Sequence, residues 1–226
     1  MKNVSTSGRI VLAITVLFAA TASLSGAKEA RIRVAATTTM VADLAESVAG
    51  EYATVTGLMG PGVDPHLYKA NASDINTLQS ADLILYNGLH LEGRLADILV
   101  KMGRRGKPVY AVTESIPEDK LLQPEEFQGH YDPHVWFDPR LWARCVDTVV
   151  TALSKVDPAH AKEFKEHGES VRAAYSSYYE WGRKYMAQVK PEQRFLITSH
   201  DAYNYFGRAF DFTVIGVQGI STQSEA

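Results

Sequence analysis

The sequence predicts an α/β fold: two parallel-sheet βα lobes bridged by one long backbone helix, with the second lobe incomplete in this chain. Three observations predict it. Strand and helix patterns alternate four times between Arg31 and Leu153. A stretch of helix formers without proline then runs from Pro158 to Pro191. The βα pattern resumes after Pro191. The 226 residues are 46% hydrophobic and 22% charged, enough apolar material for one large domain or two small ones.

In order, Arg31 to Ala36 reads as a first strand and Met40 to Ala49 as a helix. Tyr52 to Met59 is the second strand and Ala72 to Ser80 a short helix. Asp82 to Tyr86 is a third strand ended by Asn87-Gly88, Glu92 to Met102 a helix, and Pro108 to Val112 the fourth strand. A looser stretch, Thr113 to Phe137, precedes Asp138-Pro139, where aspartate as N-cap and proline at the first position start another helix. Asp157-Pro158 is a second start of the same kind. One helix from there to Pro191 would span roughly 50 Å at 1.5 Å per residue, which suits a spine between lobes. Breaks at Gly168 or Gly182 are the alternative, since each glycine costs a helix about 1 kcal/mol. Arg194 to Thr198 reads as a strand, Asp201 to Phe210 as a helix and Phe212 to Val217 as a strand. The expected domains are residues 28–156, a linking helix over 157–190, and the start of a second lobe over 191–226.

Residues 1–27 read as a secretory signal peptide. Lys2 and Arg9 precede the apolar run Ile10 to Ala20, and Ser25-Gly26-Ala27 offers small residues for cleavage after Ala27. The apolar run is short for a transmembrane helix. No cysteine lies at the boundary, so the expectation is an unanchored periplasmic protein. The single cysteine, Cys145, falls in a helical pattern and reads as a small buried hydrophobe. A net charge of −3 without basic runs argues against nucleic acid as a partner.

Of seven histidines, three share a placement. His66 lies in Gly60-Pro61-Gly62-Val63-Asp64-Pro65-His66 after the second strand. His134 lies in Asp132-Pro133-His134-Val135-Trp136-Phe137-Asp138-Pro139 after the fourth, and His200 follows Phe195-Leu196-Ile197-Thr198. Ligands of open α/β sheets bind at the carboxyl ends of strands. Converging neutral imidazoles suit zinc, copper, iron and nickel, and with a carboxylate can hold manganese. Pro65 and Pro133 stiffen the chain entering two of these histidines. Protons would compete with metal near the ordinary imidazole pKa of about 6.5, so affinity is expected to fall between about pH 7 and pH 5. His90, after the third strand, is the runner-up and reads better as a loop residue. His130 could pass metal along, and His160 and His167 read as solvated positions on the long helix. Asp64, Asp138 and Asp201 are candidate acids for orienting the imidazoles, with Asp138 the better helix cap. Tyr203, Tyr205, Phe206 and Phe210 read as core.

The segments around His66 and His134, together with Ser199-His200-Asp201-Ala202 and Gly219-Ile220-Ser221-Thr222, resemble the signatures of the metal-specific solute-binding proteins of ABC transporters. This is the TroA-like, PsaA-like and ZnuA-like group, with the TroA-like members looking closest. The resemblance runs from about Arg31 to the last residue. It implies two α/β lobes on a rigid helix that limits closure, and one divalent zinc, manganese or iron ion held by His66, His134 and His200. It also implies delivery to an inner-membrane permease by a monomer. The group's fourth ligand is an aspartate late in the second lobe, expected beyond residue 226. Zinc-dedicated members carry a long His- and acid-rich loop before the second ligand, whereas Thr113 to Asp132 is short and holds only His130.

Two rivals come from other classes. A zinc-dependent hydrolase could use three histidines and an open position to activate water, but needs a general base, and no motif nominates one. A surface adhesin is the other.

Overall fold

In the computed structural model, residues 31–127 and 129–217 are described; the leader and Gly219-Ile220-Ser221-Thr222 lie outside them. Strands β1 (Ile32–Ala36), β2 (Ala53–Gly57), β3 (Leu83–Tyr86) and β4 (Val109–Ala111) form a parallel sheet of order β2-β1-β3-β4. Ile32 pairs with Ala53, Val34 with Leu83 and Ile84 with Val109. Side chains alternate across a strand, so each face needs its own cover. Val34, Ala36, Leu83 and Leu85 pack against helices α1 (Thr39–Ala49) and α4 (Pro139–Val156). Ala35 and Ile84 face the other way, against Leu78 of α2 (Ala72–Ser80) and Leu95 and Leu99 of α3 (Leu95–Arg104).

Helix starts follow their caps. Thr38 accepts a hydrogen bond from the Val41 amide at the head of α1, and Asn71 and Asp74 form a reciprocal capping box on α2. Asp138 caps α4 with Pro139 at the first position, as expected. Within α4, Leu141, Cys145, Val146, Val149, Ala152 and Leu153 form the buried stripe. Cys145 is fully buried there, and its burial pushes the thiol pKa up, away from reactivity.

Helix α3 begins at Leu95, three residues later than the pattern suggested. Leu89 and His90 hold φ values of 52° and 64°, and the Glu92 side chain turns inward. Its carboxylate accepts from Thr37 Oγ1 at 2.8 Å and from the Asn87 and Gly88 amides at 2.6 and 3.2 Å. Those contacts commit residues 87–92 to a turn.

After a short turn at Pro158–His160, helix α5 (Ala161–Met186) runs unbroken through Gly168 and Gly182. Its 26 residues make it about 39 Å long. Gly168 is there for contact: a Cβ would lie 2.6 Å from Val150 Cγ2 and 3.2 Å from Val146 Cγ1 on α4. Alanine at 168 would gain about 1 kcal/mol in helix propensity, yet a stiff valine must move, an overpacking cost of about 1–3 kcal/mol. Gly168→Ala is expected to destabilise the chain by about 1 kcal/mol net in urea unfolding. A stabilised variant would show that α4 and α5 are not in close contact.

The two histidines expected to be solvated are not. His160 stacks on Tyr52 with ring centroids 4.2 Å apart and bonds Asp157 Oδ2 at 2.6 Å. His167 Nδ1 bonds the Val48 carbonyl at 3.0 Å. His167 docks α5 onto the end of α1, and His160 docks the turn before α5 onto Tyr52 just after α1.

Strands β5 (Phe195–Thr198) and β6 (Thr213–Gly216) pair in parallel, joined by α6 (Asn204–Phe210). Helix α6 starts three residues later than the expected Asp201, because the chain first turns back through an Ala202 amide to His200 carbonyl bond. Among the described residues, no helix is long and apolar enough to cross a membrane.

Candidate metal centre

The loops at the carboxyl ends of β2, β4 and β5 bring His66, His134 and His200 together. One ligand nitrogen from each can be chosen so that all lie within 4.8 Å of one another, and among the described residues this is the group of such donors found. His66 Nε2 and His134 Nε2 are 3.2 Å apart. Two nitrogens on one tetrahedral ion, at bonds of about 2.0–2.1 Å, lie roughly 3.3 Å apart. Ring centroids are 5.2 Å apart for His66 and His134, 5.6 Å for His134 and His200, and 6.3 Å for His66 and His200. His134 is therefore the central ring. It is also the most enclosed, at 2% exposure, with His66 and His200 half-buried.

The local chain explains the two Asp-Pro-His segments. In each, the aspartate Oδ1 accepts the amide of the histidine two residues on, at 2.8 Å for Asp64 and His66 and 2.9 Å for Asp132 and His134. The turn is thus closed by aspartate as well as stiffened by proline. Asp132 does more: its Oδ1 also accepts from His134 Nδ1 at 2.7 Å. A carboxylate only accepts, so the proton sits on Nδ1 and the Nε2 lone pair faces the other two rings. The other Asp132 oxygen takes the Asn204 amide at 3.2 Å, and the Asp132 carbonyl takes the Tyr205 hydroxyl at 2.9 Å. Asp132 was not among the acids singled out from sequence. The signal was the Asp-Pro-His repeat itself, in which the residue before proline is placed to bond the one after it.

The other nominated acids fall elsewhere. Asp138 caps α4 and pairs with Arg140 at 2.9 Å. Asp201 packs against Gly216, where a Cβ would come within 3.0 Å of its carboxylate. His90 and His130 are exposed and outside the cluster. Of the aromatics expected as core, Tyr205 is fully buried, but Tyr203 lines the histidine pocket and packs on Phe137 at 4.2 Å. The pocket holds about 320 Å³, and Met40, Trp136 and Phe137 make its walls apolar. On the far side of the first ligand loop, Gly93 takes φ +46°, and a Cβ there would lie 2.7 Å from the His66 carbonyl.

Burial in this pocket, and next the proximity of His134, hold the His66 pKa down at about 4. His200 is lowered for the same reasons in the same order. This moves the expected proton competition at these two rings below the ordinary range. It has a stability consequence too. The unfolded chain binds a proton on His66 below about 6.5 while the folded chain resists it to about 4. The contribution of neutral His66 is therefore full above about pH 6.5 and declines as pH falls toward 4. In the metal-free protein the His66 ring carbon–proton resonance is expected to titrate near pH 4; a midpoint at about 6.5 would contradict the enclosed geometry.

The profile of the family described as "Zinc-uptake complex component A periplasmic", ZnuA, matches residues 34–226. The chain belongs to the ZnuA family. Among relatives of this ZnuA-family chain, the manganese-binding lipoprotein MntA of Bacillus subtilis is 43% identical over 205 residues, covering 91% of this chain and 66% of that protein. The zinc-binding protein TroA of Treponema pallidum is 42% identical over 204 residues, covering 90% of this chain and 65% of that protein. The chain thus spans just under two thirds of the length of these relatives. The structure of the periplasmic zinc-binding protein TroA superposes with a TM-score of 0.82 at 42% identity, covering 87% of this chain and 70% of that one. The α/β architecture expected from sequence is that of a ZnuA-family protein.

Proposed function

We propose that this chain is the substrate-binding component of an importer for a divalent transition metal, zinc, manganese or iron. His66, His134 and His200 take the ion as cargo. The observation that carries the reading is the convergence of the three imidazoles, with a nitrogen separation fit for a shared ion. Relatives named for manganese, zinc and iron binding support the class of cargo. On three imidazoles zinc binds more tightly than manganese, by the intrinsic order of divalent affinities. The reading includes export to a periplasm-like space, transfer to a membrane permease, and action as a monomer. It also includes a first lobe over residues 28–156, with α5 as the spine toward a second lobe beginning at 191. The carrier is favoured over a hydrolase because the acids near the pocket are engaged: Asp64 and Asp132 close turns, and Asp138 caps a helix. A general base must be able to reach a metal-bound water.

Metal analysis of the chain purified from its own compartment tests this directly. One tightly bound ion per chain, lost on replacing His66, His134 and His200, is expected; a chain that takes up no divalent metal would refute the reading. A second measurement isolates Asp132. Its contact fixes the His134 tautomer, and such partners typically contribute about 10- to 100-fold to metal affinity. Asp132→Asn is expected to weaken zinc binding by about that factor in a chelator-competition assay. Unchanged affinity would mean that His134 is oriented by something else.

A further inference from the structure

A second pair of imidazoles meets outside the cluster. His90, in the turn after β3, and His130, in the loop before the second ligand segment, have ring centroids 4.5 Å apart with planes inclined at 57°. Two imidazoles sharing one ion through bonds of about 2.0–2.1 Å place their centroids roughly 4.5 Å apart at a right angle and roughly 5.2 Å apart at a tetrahedral one, so the pair matches cis positions of a six-coordinate ion and needs a small opening for a tetrahedral one. Both histidines are exposed, and both line a cavity of about 570 Å³. The carboxylate-bearing Glu114 and Glu118 belong to the same cavity wall. None of its lining residues lines the pocket of His66, His134 and His200. The two loops are tied down independently. Glu92 holds the Asn87 and Gly88 amides, and Gln123 Nε2 donates to the Gly129 carbonyl at 2.6 Å. The rings are thus presented to each other by anchored backbone, 40 residues apart in the chain.

We propose that His90 and His130 form a second, weaker site for a borderline divalent transition-metal ion, zinc or nickel, completed by water. Two imidazoles and open water positions select ions that favour nitrogen donors over manganese, which favours oxygen. Two ligands on an exposed surface hold less tightly than three in an enclosed pocket, so an ion captured there exchanges readily.

Equilibrium dialysis of the chain against zinc, and separately against nickel, tests the assignment. The unmodified chain is expected to bind two equivalents of zinc, one at least 10-fold weaker than the other. The double variant His90→Ala, His130→Ala is expected to keep the tight equivalent and lose the weak one. The double variant His66→Ala, His134→Ala is expected to do the reverse, which separates this proposal from the carrier reading. Saturation of the unmodified chain at one equivalent would overturn the proposal, as would a weak equivalent that survives in the His90 and His130 variant. His130→Gln, an exposed and conservative change, guards against a folding artefact: it too is expected to remove the weak equivalent. Shifts of the His90 and His130 ring signals only after the first equivalent of zinc would place the second ion between them; shifts elsewhere would overturn it.

Discussion

Replacing His134 with alanine is expected to lower zinc affinity by at least about 100-fold, the largest effect of any single change in the pocket. Three features single it out. It is the central ring, the nearest neighbour of both His66 and His200. It is almost fully enclosed, so the donor that it removes has no ready substitute from bulk water. Its Nε2 is already aimed and in the metal-binding tautomer through Asp132 Oδ1, so little ordering remains to be done on binding. Replacing a residue that only orients a ligand typically costs about 10- to 100-fold, and loss of the ligand itself sets the floor at the upper end of that range. Competition with a chelator of known affinity measures it. An affinity within about twofold of the unmodified chain would remove His134 from the set of ligands, and with it the geometric case for a shared ion.

The second large effect concerns stability. Glu92→Ala is expected to destabilise the fold by about 3 kcal/mol or more, since it strands three buried donors: the Thr37 hydroxyl and the Asn87 and Gly88 amides. Each unsatisfied buried donor costs about 1–3 kcal/mol, with partial relief if water enters the space left. The damage should reach the pocket, because Asn87 Nδ2 donates to the Pro133 carbonyl at 3.1 Å, directly before His134. Burial raises the Glu92 pKa above its unfolded value. The folded chain therefore holds that proton to higher pH, and the stability contributed by the group is full below the unfolded pKa and lost as pH rises through the folded one. Glu92→Gln keeps one acceptor for Thr37 and Asn87 but turns an amide donor toward the Gly88 amide. It should cost less than alanine at neutral pH and flatten the pH dependence. Urea unfolding of both variants across pH measures this. Two variants as stable as the parent would show that residues 87–92 are held by other contacts.

The architecture was legible in the sequence because parallel strands and their helices have distinct periods. The near-continuous apolar run Leu83-Ile84-Leu85 reads as a strand buried on both faces, and so it is. The pairing of His66, His134 and His200 was legible because all three follow strands, and the carboxyl edge of a parallel sheet gathers such residues whatever their spacing. What escaped were contacts across sequence distance. The late start of α3 is set by Glu92 reaching back to Thr37, 55 residues away. His167 looked solvated on a polar helix because its partner, the Val48 carbonyl, is 119 residues earlier. Helix periodicity marks which face is apolar, and it says nothing of a polar side chain that finds a buried carbonyl on another element. Asp132 was hidden differently. A turn-forming aspartate and an imidazole-orienting aspartate have the same local sequence, and only the approach of its Oδ1 to Nδ1 separates them.

The tie between Asp132 and α6 carries a kinetic consequence. His66 and His134 are 68 residues apart and become neighbours once the four-stranded sheet has closed. His200 follows β5, and the docking of Asn204 and Tyr205 onto Asp132 holds its loop alongside. The Asp132–Tyr205 contact spans 73 residues, much the same as the 68 between His66 and His134, so the complete site needs two separate long-range closures. An ion present from the start would gain its full set of three imidazoles only when both have closed. The rate at which the three-imidazole complex appears then reports both closures, and the Tyr205→Phe chain, which lacks the hydroxyl that reaches the Asp132 carbonyl, should reach the same complex more slowly.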